Sequence, residues 1–275
     1  MIARPLVLKF GGELLEDRAS LATIVSASAA IVERCGPVAI VHGGGKEIDA
    51  ALKAAEIEKR QVDGLRITDA ATLDNVVAVV GGVVNTRLVA ALNAAQVRAV
   101  GLTGADASCG LSDAAAPHRA VDGRTVDLGH VGIPCADMDM RLLHTLMKDA
   151  FVPVVACIGM GRGGELLNVN ADTLAGHMAA KLGARRLVIA GTTAGVLDDA
   201  RRTLPVVDAT DIAALVDAGT ASAGMIAKLR ACEHALAGGV DDVVIVDGCD
   251  RSALVNAAES PQPDAATRIV NSVVG

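Results

Sequence analysis

Two short apolar runs, each closed by glycines and joined through a helical pattern, constrain this chain more than any other feature. Leu6-Val7-Leu8-Lys9-Phe10 follows Pro5 and ends at Gly11-Gly12, while Val38-Ala39-Ile40-Val41 ends at His42-Gly43-Gly44-Gly45-Lys46. Runs this short and this apolar read as strands of a parallel sheet buried on both faces. Helical patterns follow over 20–33 and 46–55, giving β-α-β-α with a glycine turn after each strand. Ligands of open α/β sheets bind off the carboxyl ends of the strands. Lys9, and amides that no side chain shields, suit a phosphate there. The triple glycine runs into a helix N-terminus, where free N–H groups and the positive end of the dipole coincide. For either stretch alone, the plain alternative is a snorkelling lysine and a flexible turn. The Gly45-Lys46 pair is not a P-loop, which needs glycine where Ile40 stands and Ser or Thr where Glu47 stands.

Arg66 follows a Gly64 turn and precedes a long helix over 70–95 that Thr68 or Asp69 can cap. Its planar guanidinium is a candidate fork for a carboxylate. The helix contains Gly81-Gly82 and is apolar on more than one face, as suits a helix that is either central or at a subunit interface, and the interface is the favoured reading. A strand over 97–102, peripheral hairpins over 103–130, a helix over 138–150 and a buried strand over 152–157 follow. Gly159-Met160-Gly161-Arg162-Gly163-Gly164 matches a dinucleotide fingerprint, but the extended segment after it is not the helix a pyrophosphate requires, so it reads as a hairpin turn. Asn168, Asn170 and Asp172 alternate onto one side ahead of a helix, either as caps or as ligands of a common site. The last third holds strands over 186–190 and 243–246, helices over 208–217 and from Gly224-Met225 onward with Lys228, and a return to a sheet edge over 267–270. The boundary between lobes is soft, with one continuous sheet expected through 1–183 and 184–275.

Composition excludes several functions. The chain has 275 residues, 52% hydrophobic and 21% charged, enough for one large α/β domain or two intimate lobes. Phe10 and Phe151 are its only aromatic residues and its net charge is -7. Nucleic-acid binders need stacking platforms or a basic face, so no nucleic acid is expected. No run of 18 uninterrupted apolar residues occurs, and no membrane span is expected. The six cysteines form no C-x-x-C pair and read as buried hydrophobes in a reducing compartment, the cytoplasm.

Five motifs in order give the chain its likeness. They are Lys9-Phe10-Gly11-Gly12, His42-Gly43-Gly44-Gly45, Gly64-Leu65-Arg66, Asn168-Val169-Asn170-Ala171-Asp172, and Gly224-Met225 with Lys228. In these the chain resembles the amino-acid kinase family, and within it the branch that phosphorylates acetylglutamate. The resemblance implies a three-layer αβα sandwich around a mainly parallel central sheet. It implies a lobe over 1–183 that binds the amino acid and forms a homodimer through the 70–95 helix, and a nucleotide lobe over 184–275. The implied reaction is phosphorylation of the γ-carboxylate of N-acetyl-L-glutamate by ATP in arginine biosynthesis, with Mg2+ held mainly by the phosphates and no dedicated metal ligands.

By the same resemblance, Lys9 and Lys228 stabilise the transition state and Asp172 sits between them. Amides of Gly11, Gly12 and Gly44 face phosphate oxygens, and Gly44 and Gly45 the substrate. Arg66 takes the α-carboxylate, Asn168 hydrogen-bonds the substrate and Asn170 lines the site. Gly11, Gly12, Thr192, Thr193, Gly195, Ser222 and Met225 form the nucleotide set. Three departures stand out. Thr192 replaces the acidic residue expected near the nucleotide, Gln61 replaces a lysine, and the terminal segments of arginine-inhibited members are missing. The expectation is a homodimer without arginine feedback. The alternatives are a kinase of succinyl-glutamate or carrier-linked aminoadipate, with 104–130 shaping the pocket, and a non-catalytic amino-acid-binding regulator.

Overall fold

All five side chains of the first apolar run, Leu6–Phe10 (β1), are buried, and a parallel strand flanks it on each side. The structure is a computed structural model and describes residues 3–198, 200–217 and 223–271. With β1, the strands Val38–His42 (β2), Ala99–Thr103 (β3), Val152–Ala156 (β4), Arg186–Gly191 (β5), Val206–Val207 (β6), Asp242–Asp247 (β7) and Ala266–Ile269 (β8) form one sheet. Its order is β6-β8-β7-β5-β1-β2-β4-β3. Only the β7–β8 pair is antiparallel among these. The sheet is continuous from the first strands to those of the last third because β1 pairs directly with β5.

Alternation along the strands builds two cores, one on each face. Leu6, Leu8 and Phe10 of β1 pack with the helices Gly12–Glu16 (α1), Arg18–Cys35 (α2) and, later in the chain, Arg251–Glu259. Val7 packs on the other face with Gly45–Ala54 (α3). The long helix Ala70–Ala94 (α4) passes through a π-helical stretch, Val77–Val84, and joins both cores. On the face of Val7 lie also Arg141–Lys148 (α5), Ala171–Lys181 (α6) and Ala223–Ala237 (α8), with Ala209–Asp217 (α7) preceding the last and Arg251–Glu259 (α9) closing the other face. Burying a Leu- or Phe-sized side chain contributes roughly 1.5–3 kcal/mol, so these two layers supply most of the driving force.

By length and composition α4 could cross a membrane, with a mean hydropathy of 1.6. Its Val76, Val80, Val84, Leu88 and Leu92 are buried against this sheet, while Val83 on the opposite side is 59% exposed. A four-stranded sheet of Ile158–Met160, Leu166–Val169, Val131–Pro134 and Ser112–Ala114 lies beside the main one. The fingerprint-like glycines form its hairpin turn, with Gly164 at φ 89°.

Three elements depart from expectation. Gly12 opens the helix α1 at the expected turn. The helix α9 stands between the strands expected over 243–246 and 267–270, where none was expected, and Asp250 caps it by accepting from Ser252 and Ala253 amides. The Ala266–Ile269 strand is not at the edge, because the two-residue β6 pairs outside it.

Candidate active site

Strand alternation turns Lys9 away from Leu8 and Phe10, onto the face that α6 and α8 cover. There its Nζ lies 2.8 Å from Asp172 Oδ1, and Lys228 Nζ lies 3.3 Å from the same oxygen. Asp172 occupies the first turn of α6, where the helix dipole favours a negative charge. Asn170 caps that turn, its Oδ1 accepting from the Asp172 and Thr173 amides at 2.9 and 3.1 Å. Lys228 arrives on α8, which α6 approaches closely at Gly176. A Cβ at that position would stand 2.6 Å from the Ala231 carbonyl oxygen.

Burial raises the pKa of Asp172, but Lys9 and Lys228 outweigh it and hold the carboxyl below its ordinary range. Burial pulls the Lys9 ammonium down, and Asp172 beside it more than compensates, leaving it raised. Lys228 goes the other way, lowered by burial and by the charge of Lys9 against the pull of Asp172. The pair is unequal: Lys9 is the firmly held cation and Lys228 the one more easily discharged.

The two glycine turns touch each other. A Cβ on Gly12 would fall 2.6 Å from Gly45 N and 2.7 Å from Gly44 Cα. Gly12 and Gly45 are the first residues of α1 and α3, whose opening amides have no intrahelical partner. With Gly44 they present N–H groups without an acceptor among the described residues. Gly11 differs from expectation, since its N–H donates to the Ala190 carbonyl at 3.1 Å and does not face the site. Its contribution is room, which the Glu13 carboxylate fills: a Cβ on Gly11 would meet Glu13 Oε1 at 2.3 Å.

A cavity of about 280 Å³ joins these parts to Arg66, Asn168, Asn170 and Gln61. Arg66 ends a two-strand hairpin, Gln61–Val62 with Leu65–Arg66, and its Nη2 donates to Asp49 Oδ1 at 2.5 Å. Its Nη1 is buried without a partner. Asn168 donates to Thr68 Oγ1 at 3.0 Å. Cys157 forms wall beside Lys9, its thiol pushed up to about 11 by burial and hence protonated and inert.

Of the expected nucleotide set, Gly11 and Gly12 border this cavity, whereas Thr192, Thr193, Gly195 and Met225 do not. Thr192 and Thr193 are exposed just beyond β5. Gly195 is buried at φ 141°, and a Cβ there would strike Thr267 Oγ1 at 2.3 Å, so packing explains its identity. Met225 is partly buried against the core, and Ser222 lies outside the described residues. A larger concavity of about 990 Å³ runs along α2 and the end of α4, and none of the groups above borders it. Among the described residues no three His, Cys, Asp or Glu side chains converge as a metal site.

Sequence reasoning did not single out Glu13, Asp49 or Asn85. Glu13 carried a signal, a carboxylate directly after the phosphate-type glycines. Asp49 carried none, because its pairing with Arg66 exists only once α3 and the hairpin meet.

A model of the amino acid kinase family matches residues 4–247. An acetylglutamate kinase of Granulibacter bethesdensis is 40% identical over 88% of this chain and 82% of that protein. One from Rhizorhabdus wittichii is 41% identical over 88% of this chain and 81% of its own length. Among solved structures, N-acetylglutamate synthase from Neisseria gonorrhoeae, complexed with coenzyme A and N-acetyl-glutamate, superposes with a TM-score of 0.82 at 22% identity. It covers 99% of this chain, which spans 61% of that longer one, and the likeness is one of fold.

Proposed function

The chain belongs to the amino acid kinase family, and from that premise we propose that it transfers the γ-phosphoryl group of ATP to the γ-carboxylate of N-acetyl-L-glutamate, a step of arginine biosynthesis. The relatives at 40% and 41% identity bear the name of that activity. The observation that carries the reading is Asp172 shared by two lysines at a cavity that Arg66 also lines.

A side-chain carboxylate with a pKa of about 4 is already ionised at neutral pH, so the reaction needs no general base. The difficulty is bringing anions together and holding the charge spread over the transferring phosphoryl group. Arg66, with Nη1 unpartnered, is the candidate fork for the substrate's α-carboxylate, and Asn168 and Asn170 line the same cavity. The N–H groups of Gly12, Gly44 and Gly45 donate to phosphoryl oxygens, while Lys9 and Lys228 meet the developing charge and Asp172 fixes both. Mg2+, when bound, neutralises the β- and γ-phosphate oxygens. Of the carboxylates bordering the cavity, Asp172 is taken by the lysines and Glu13 has no partner among the described residues. One free carboxylate fits a cation held chiefly by phosphates, and Glu13 would hold it.

The nucleotide is assigned to 184–275, with the Thr192 and Thr193 hydroxyls in place of an acid, and the amino acid to 1–183. The outward side of α4, with Ala71, Ala78, Gly82 and Val83 exposed, supports a homodimer. The six free thiols suit the cytoplasm.

Coupled ADP release with hydroxylamine trapping, run on acetylglutamate, succinylglutamate, glutamate and aspartate, tests the reading. It predicts ADP and a hydroxamate with acetylglutamate. A hydroxamate from another acceptor in preference, or from none, overturns the substrate assignment.

A further inference from the structure

The reaction leaves a buried polar pair, His42 and Asn85, unused on the face of the sheet opposite Lys9. His42 ends β2 and is 0% exposed, and Asn85 on α4 is 5% exposed, both within the layer of Ile40, Val84, Leu88 and Val154. Asn85 Nδ2 lies 2.9 Å from His42 Nε2 and 2.9 Å from the Val154 carbonyl oxygen. A carbonyl only accepts, so the nitrogen end of the Asn85 amide must face Val154. The second hydrogen of that nitrogen then points at His42, and Nε2 accepts it. Asn85 Oδ1 rests against Gly101, where a Cβ would come within 2.2 Å, so β3 leaves the space this orientation requires.

An imidazole that accepts at Nε2 carries its proton on Nδ1. His42 Nδ1 is 3.0 Å from the Gly43 carbonyl oxygen and donates to it. Burial keeps the ring neutral, its pKa lowered to about 4. In a planar trans peptide, the carbonyl of one residue and the N–H of the next point in opposite directions. Holding the Gly43 carbonyl toward His42 therefore drives the Gly44 N–H away from the α4 layer. Gly44 borders the cavity with Lys9 and Asp172, and its amide has no acceptor among the described residues.

We infer that His42, fixed in one tautomer by Asn85, is the positioning residue that aims the Gly44 amide at the transferring phosphoryl group. This rests on the phosphoryl-transfer reading and adds a buried relay from α4 to the glycine turn. The relay explains why a polar pair stands among Ile40, Val84, Leu88 and Val154, where two hydrocarbon side chains would pack without needing partners.

The test compares His42→Leu, which keeps bulk and loses the donor, with His42→Asn, whose amide nitrogen can stand in for Nδ1. A donor to a developing oxyanion is worth a hundredfold or more, and a misaimed one should lose about tenfold to a hundredfold in kcat with little change in either KM. His42→Asn should recover most of that loss at an unfolding midpoint no higher than that of His42→Leu. Equal loss in both variants, or unchanged kcat in His42→Leu, overturns the inference. Nitrogen-15 histidine spectra of the wild-type protein provide a reading that needs no variant. One ring should show a protonated Nδ1 and bare Nε2, unchanged from pH 6 to 9, and an Nε2–H tautomer for His42 would refute the relay. If the wild type turns over no acceptor, the transfer reading fails, and the tautomer still decides the relay.

Discussion

Replacing Asp172 by Asn removes the charge that lets two lysines share one site. At an effective dielectric near 20, ion pairs at 2.8 and 3.3 Å attract by about 6 and 5 kcal/mol. Most of that offsets the cost of burying three charged groups, so the net loss is smaller. Breaking a buried pair and leaving its partner uncompensated typically costs roughly 3–5 kcal/mol. For a chain of this size that corresponds to a melting temperature lower by on the order of 10 °C. Function should suffer beyond stability, because Lys228, already lowered by burial and by Lys9, loses its nearest counter-charge. Its ammonium is then easier to discharge, and the clamp holds its second cation less firmly. Turnover by Asp172→Asn, measured by ADP release at a temperature where the variant is folded, should drop by on the order of a hundredfold or more. Its kcat should fall off on the alkaline side at a lower pH than the wild type's, because Lys228 gives up its proton sooner without Asp172. A variant with kcat within about threefold of wild type and an unchanged midpoint would refute the reasoning.

Arg66→Ala should raise the KM for the amino acid by about a hundredfold with kcat little altered, since the lost contact is uniform between ground and transition states; unchanged KM would remove Arg66 from the carboxylate site. Gly12→Ala should impair turnover without unfolding the core, because its Cβ would fall 2.6 Å from Gly45 N and force the two glycine turns apart; steady-state kinetics beside circular dichroism would decide it. His42 predicts a pH dependence of stability. The unfolded ring takes a proton near pH 6.5 and the folded one only at about 4. Between those values the unfolded state binds more protons, so stability falls as pH falls, by about 3 kcal/mol in all. Denaturant titrations of wild type and His42→Asn across this range should show that slope flattened in the variant; parallel slopes would contradict it.

Much of this was legible in the chain because local signals and tertiary use coincide. The run at Leu6–Phe10 is a buried strand, and its lysine faces a site because alternation leaves it no other side. The order of motifs likewise brought Lys9, Asp172 and Lys228 together before any contact was visible. What stayed hidden depends on approach between distant elements. Asp49 meets Arg66 only across the α3–hairpin junction, and Gly195 reads as a ligand-loop glycine until Thr267 is seen against it. Gly11 looked like an amide donor, but β5 lies close enough for Ala190 to take its hydrogen. Two-residue strands such as Val206–Val207 carry too little pattern to be read at all.

The central claim is that a substrate carboxylate attacks the γ-phosphorus directly between Lys9 and Lys228. Phosphorus NMR of the product formed from ATP and acetylglutamate carrying oxygen-18 in its γ-carboxylate tests it most directly. The account predicts an acyl phosphate whose resonance is shifted by one bridging oxygen-18. Unlabelled inorganic phosphate as the only new phosphorus species beside ADP, the mark of attack by water, would contradict it.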